Sequence, residues 1–246
     1  MVFSSPVFLC LFLPLVLGVY FLVGARHKNT VLLLFSLLFY SWGEKIIVLV
    51  MLASTLIDYC SGILIENGHK EGGLALSIVA NVGLLGFFKY TNFAFDNLHT
   101  LCSLFGVSTD WIHIIPEIAL PLGISFYTFQ TMSYTIDVYR GTIPANRNYL
   151  NFATYVTMFP QLVAGPIVRY KDIYRQLSSR EHTLADIVAG AQRFIVGLAK
   201  KVLLANSFAA IADEVFAISP EHLGSSWAWV GTIAYAFQIY FDFSGY

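Results

Sequence analysis

Charge is scarce in this sequence. Of its 246 residues, 12% are Asp, Glu, Lys or Arg, about half the roughly 25% that a soluble domain carries. A fold of this size without that charge has little surface to offer to water, and a bilayer removes the need for one. A basic excess is missing as well. The 14 Lys and Arg stand against 15 Asp and Glu, which excludes a phosphate-binding stripe and, with it, nucleic acid as a partner. Cysteine is limited to Cys10, Cys60 and Cys102, far apart and without a CxxC pair. That excludes a disulfide framework or a thiolate metal site, and no metal is expected. The generic enzyme signatures HExxH, GxSxG, the P-loop and a GxGxxG before a helix are all lacking. Internal repeats and low-complexity stretches are also absent.

Apolar residues fill the space. They make up 57% of the chain, and its mean hydropathy is +0.68. A spanning helix needs about 20 mostly apolar residues. Val7–Gly24 and Ile46–Ile65 meet that need directly, Thr30–Trp42 is shorter, and Leu74–Phe88 is marginal. Leu120–Tyr139, Leu150–Val168 and Trp227–Phe243 follow. The fold class expected is therefore all-α and polytopic, with about six or seven membrane segments plus short amphipathic or re-entrant helices. We expect a single membrane-embedded domain over residues 1–246. The start is no signal peptide: Met1 to Ser5 carries no basic residue, and the first apolar run is too long for a cleavable leader. Arg26 and Lys28 follow it and place that end of an uncleaved span on the cytoplasmic side.

Two stretches differ. Thr91–Asp110 is mixed and reads as a loop with a short amphipathic piece. Leu184–Val202 has apolar positions at helical spacing, with Asp186, Arg193, Lys200 and Lys201 on the remainder. It reads as a helix on the membrane surface or roofing a cavity. The loop before it holds Arg169, Lys171, Arg175 and Arg180, a basic excess that favours the cytoplasm.

Polar groups inside apolar segments face protein or a water-filled cavity, because hydrocarbon leaves them unpaired. Gln130, Ser133, Tyr134 and Asp137 share one helical face. They either wall a substrate path or fasten helices together. Asp58 is the most isolated charge, expected to pair with a base on a neighbouring helix or to stay neutral. Asp242 lies near the end of the last apolar stretch. The histidines His27, His69, His99, His113, His182 and His222 all fall in polar or mixed stretches, and none is assigned to catalysis.

Six strings in order carry a resemblance: LLFSLLFYSWG at 33–43, GFFKYTNF at 86–93, PLGISFYTFQTMSYTIDVYRG at 121–141, FPQLVAGPIVRY at 159–170, GLAKKVLLAN at 197–206 and YFDFSGY at 240–246. Together they resemble the membrane-bound O-acyltransferase family, in its bacterial branch of alginate O-acetylase membrane subunits. Pro121, Gly123, Pro160, Gly165 and Pro166 within those strings break helices at membrane depth, which is tolerated where backbone is buried in protein or lines a cavity. The resemblance implies a multi-pass protein of the cell inner membrane with no bound cofactor. Acetyl-CoA or a related acyl donor would enter from the cytoplasm. Periplasmic acetylation proteins and a polysaccharide acceptor, alginate mannuronate first, would be the partners beyond the bilayer. It further implies that the family histidine lies beyond Tyr246, so no residue of this chain is named catalytic and 1–246 reads as the N-terminal part of a longer enzyme. A hydroxyl needs such a base before it can attack an acyl group.

The candidates left for lining a tunnel are Gln130, Tyr134, Asp137, Asp242 and Ser244; those for donor phosphates are Arg169, Lys200 and Lys201. Positive-inside anchoring is the simpler reading of the three bases. Other cargoes in the same family, such as D-alanine for teichoic acid or acetyl for cellulose or peptidoglycan, stay open, and so does a polytopic transporter lined by the Gln130–Asp137 face.

Overall fold

The computed structural model describes residues 3–45, 47–105, 118–162, 165, 168–219 and 221–245. Asp110, His113, Pro166 and Tyr246, invoked above, lie outside the described residues. Among the described residues every regular element is helical: α1 (Phe8–Leu22), α2 (Lys28–Ser41), α3 (Ile47–Glu66), α4 (Lys70–Leu104), α5 (Ile124–Tyr139), α6 (Tyr149–Thr157), α7 (Phe159–Leu162), α8 (Tyr170–Ser178), α9 (Leu184–Phe216) and α10 (Ser225–Gly245). Three of them, α3, α4 and α9, are long and apolar enough to cross a membrane. The chain is a polytopic membrane protein.

The chain divides into two compact units: Gly18–Val163 with Ile167–Ser179, and Met1–Leu17 with Ala164–Pro166 and Arg180–Tyr246. The first is organised inside-out relative to a soluble bundle. On α3 the buried positions are Met51, Ser54, Thr55, Asp58, Ser61, Gly62 and Ile65, spaced as one helical face. The large apolar side chains exposed on it are Leu49, Leu56 and Leu64. On α4 Gly73, Ser77 and Asn81 are buried, four apart, while Leu76, Val79 and Val82 are exposed. In water this arrangement would waste the hydrophobic effect. In lipid the outer face is already solvated, and association comes from close packing and interhelical hydrogen bonds.

Helix α4 is 35 residues, about 52 Å at 1.5 Å per residue, against a hydrocarbon core of roughly 30 Å. Its length corrects the expected loop at Thr91–Asp110. The helix continues to Leu104 because no Gly or Pro lies between Phe87 and Leu104 to stop it. Its polar side chains bond back along the helix, Asn97 Nδ2 to the Phe93 carbonyl at 2.7 Å and Thr100 Oγ1 to that of Asp96 at 2.9 Å.

Glycine punctuates α5 at its start. Gly123 has φ +78°, a left-handed conformation that side chains disfavour. A Cβ there would also stand 2.5 Å from the Leu162 carbonyl oxygen. Asn148 caps α6, its side chain accepting from the Leu150 and Asn151 amides. The core of this unit is aromatic. Tyr134 packs on Phe152 and Tyr170 with ring centroids 4.5 and 5.0 Å apart, and Tyr155 lies 5.1 Å from Tyr170.

In the smaller unit α9 and α10 pack along their length. Phe208 stacks on Phe237 and Phe241 at 5.2 and 5.8 Å, pairs worth about 0.5–1.5 kcal/mol each beyond burial. The surface helix expected at Leu184–Val202 is the first part of a 33-residue helix. Lys200 and Lys201 on it meet α10, while Asp186 and Arg193 stay exposed.

Candidate functional site

Two polar constructions stand inside apolar surroundings of the larger unit. The first joins α3, α4 and α5 around Asp58, which is fully buried. Its Oδ1 accepts from Ser77 Oγ at 2.6 Å and from Asn81 Nδ2 at 2.8 Å; Oδ2 accepts from the same nitrogen at 2.9 Å. Asn81 Nδ2 also reaches the Ser77 carbonyl at 2.9 Å, and Ser77 Oγ lies 2.9 Å from Thr135 Oγ1. The Asn81 carbonyl end takes weak bonds from Ser54 and Thr131, both 3.4 Å. Among the described residues no ion pair to Asp58 forms; of the two outcomes expected for it, pairing with a base is not the one seen, and its partners are an amide and a hydroxyl. This centre cross-links three helices.

The second is the break between α6 and α7. Pro160 has no N–H, and Met158 turns out of the helix with ψ 114°. In an unbroken helix the Phe159 amide would bond the Tyr155 carbonyl. Here it donates to Ser36 Oγ on α2 at 3.1 Å. The carbonyl so freed accepts from Gln130 Nε2 at 3.1 Å and from Gln161 Nε2. Side chains from α2, α5 and α7 thus satisfy a backbone opened inside the bundle, as a site without water requires. Such interrupted helices occur where a membrane protein lines a cavity.

These bonds locate the sequence candidates. Gln130 is buried and spends its amide on the Tyr155 carbonyl. Tyr134 is fully buried, its hydroxyl accepting from the Asn146 amide at 2.9 Å. Asp137, one turn further, is half-buried. Arg169 is exposed immediately before α8. Next to it, burial pushes the Tyr170 phenol up to about 12, so it keeps its proton at neutral pH and acts in packing.

The remaining candidates lie in the smaller unit. Lys201 Nζ is 2.7 Å from Asp242 Oδ1, with the two side chains 29% and 31% exposed. Lys200 Nζ donates to the Ser244 carbonyl at 3.2 Å. Both lysines begin a π-helical turn, Lys200–Ala205, an irregularity frequent at functional sites. Gly197 sits directly against the Gly245 carbonyl, so neither helix could approach the other with a side chain there.

Ser36, Ser77, Asn81 and Gln161 were not singled out from the sequence. Ser77 and Asn81 carried a usable signal, two polar residues four apart in an apolar run. Ser36 carried none, because its role depends on where Phe159 falls.

Residues 144–246 match the membrane-bound O-acyltransferase family. The whole chain is 45% identical to the probable alginate O-acetylase AlgI of Azotobacter vinelandii, covering 49% of that protein. It is 43% identical to the protein of the same description in Pseudomonas aeruginosa, covering 47% of it. The peptidoglycan O-acetyltransferase of Helicobacter pylori is 33% identical over the whole chain, which covers 52% of that protein. The chain therefore spans about half the length of these relatives. No solved structure matches it. A lipid-facing bundle with a propped helix break, together with similarity running from end to end, places this chain in the membrane-bound O-acyltransferase family.

Proposed function

We propose that this chain is part of an inner-membrane O-acetyltransferase that passes acetyl groups from a cytoplasmic donor, acetyl-CoA or a related thioester, to exopolysaccharide hydroxyls. The mannuronate residues of alginate are the first acceptor, and periplasmic acetylation proteins complete the delivery. The observation that carries this reading is the end-to-end similarity to probable alginate O-acetylases, 45% and 43% identical. In the transfer, a base takes the acceptor's hydroxyl proton, the oxygen attacks the acyl carbonyl, and the thiolate leaves. We place that base outside residues 1–246, in agreement with the resemblance, and give this half of the enzyme the path and the supporting scaffold. Gln130, Tyr134 and Asp137 belong to that scaffold near the helix break, and Asp242 and Ser244 to the α9–α10 contact.

The test is genetic and chemical. Deleting the gene should abolish ester-linked acetyl signals in the proton NMR spectrum of the exported polysaccharide while leaving polymer yield intact. An unchanged acetyl content would overturn the proposal. A peptidoglycan acceptor is the second reading, favoured by the 33% identical Helicobacter pylori protein. It predicts that the acetyl loss appears in purified sacculi instead.

A further inference from the structure

The polar stripe on α9 is only partly spent on holding α10. Lys201 is committed to Asp242, but Gln192, Arg193 and Lys200 remain. Positions 193, 197 and 200 fall four and three apart, on one face of the helix. With Ser244 and Gly245 at the end of α10 they line a recess of about 380 Å³. Its floor is backbone, where Gly197 meets the Gly245 carbonyl. Val196 supplies an apolar wall.

The electrostatics of the recess have one sign. Among the described residues no carboxylate lines it. Asp242 is neutralised by Lys201 at 2.7 Å, and Asp186 is engaged by its helix cap, Thr183 Oγ1, at 2.5 Å. Lys200 gives one of its three hydrogens to the Ser244 carbonyl and keeps two. Arg193 forms no hydrogen bond or ion pair with any described residue, leaving its whole fork of donors open. A planar fork, an ammonium and an amide lining one recess fit a compact anion with several oxygens better than a single carboxylate. The volume lies at the small end of ligand pockets, roughly 300–1,000 Å³. It has room for a phosphate or diphosphate group with part of its carrier.

We propose that this recess binds a phosphate group, with Arg193 and Lys200 pairing its oxygens and Gln192 donating from the side. The carrier is either a soluble phosphorylated donor or the headgroup of an anionic lipid. The link to acyl transfer rests on the reading above; the binding itself does not. Lys201, grouped with Lys200 by sequence, then serves the α9–α10 contact and not the ligand.

The experiment titrates inorganic pyrophosphate into the whole chain, purified in neutral maltoside micelles at low salt, by isothermal calorimetry. Saturable binding is expected. R193Q and K200Q should each weaken it about tenfold or more, R193K by less, and K89Q, on α4, not at all. Thermal melts of the same samples should coincide, which separates lost binding from lost fold. Repeating the titration in phosphatidylcholine nanodiscs with and without phosphatidylglycerol identifies the carrier. Abolition by phosphatidylglycerol assigns the site to a lipid headgroup; equal affinity in both discs, with acetyl-CoA competing, assigns it to a soluble donor. No saturable binding, or R193Q and K200Q binding like the parent, overturns the proposal. Because no turnover is measured, that failure leaves the acetyl-transfer reading standing, and an enzyme that binds pyrophosphate but transfers nothing leaves the recess standing.

Discussion

Asn81→Leu should be among the most damaging single changes in the larger unit, although it makes a membrane helix more apolar. The Asn81 amide nitrogen reaches Asp58 Oδ1, Asp58 Oδ2 and the Ser77 carbonyl at 2.8, 2.9 and 2.9 Å. It has two hydrogens, so these contacts amount to two bonds. Interhelical hydrogen bonds in membranes average about 0.6 kcal/mol, with a maximum near 1.7, which gives roughly 1–3 kcal/mol for the pair. Leucine fills the volume, so little cavity cost is added. It takes the amide donor away from both buried Asp58 oxygens, and an unsatisfied acceptor adds about 1–3 kcal/mol. We expect a loss of about 3 kcal/mol in total, read by reversible SDS unfolding in mixed micelles followed by circular dichroism. Asp58→Ala should cost a similar amount. The double variant should fall short of the sum by at least ~1 kcal/mol, because the two residues share bonds. Ser54→Ala, which loses a single 3.4 Å contact to Asn81, should stay within about 0.5 kcal/mol of the parent. An Asn81→Leu protein as stable as the parent, or strict additivity with Asp58→Ala, would refute the reasoning.

Gln130→Ala and Gln161→Ala should each be mild, under about 1 kcal/mol, since either amide can satisfy the Tyr155 carbonyl. Together they should cost more than the sum, measured by the same unfolding assay; additive behaviour would mean the break is not propped as described. Gly123→Ala should lower the melting temperature markedly, as the left-handed backbone alone costs about 1–2 kcal/mol and the Leu162 carbonyl must also move. Cys60, exposed on the lipid side of α3, should resist a membrane-impermeant maleimide in intact vesicles and react once SDS is added. Labelling without detergent would contradict a spanning α3.

Most helices were legible because apolar runs and the breakers Pro121, Gly123 and Pro160 mark them directly. The loop expected at Thr91–Asp110 failed for one cause, a reliance on polarity where helix continuity depends on breakers. Asn92, Asp96, Asn97 and Thr100 look like loop residues. Yet α4 runs on through them, and Asn92 clips the Ile118 backbone through both ends of its amide. On α9, Asp242 and the Ser244 carbonyl answer Lys201 and Lys200 from α10, a pairing that spacing along one helix does not reveal. Of the candidate site, the face holding Gln130 and Tyr134 was visible from spacing alone. Its use was not, since the Tyr155 carbonyl becomes an acceptor only once the α6–α7 break frees it.

The most direct measurement is acetyl transfer by an enzyme of the relatives' full length carrying these 246 residues, reconstituted in proteoliposomes with its periplasmic partners. With radiolabelled acetyl-CoA on the cytoplasmic face and polymannuronate on the other, label should appear on the polymer as hydroxylamine-labile ester. It should disappear when residues 1–246 are supplied alone. Label that never leaves the donor, or transfer by residues 1–246 without the rest, would contradict the reading.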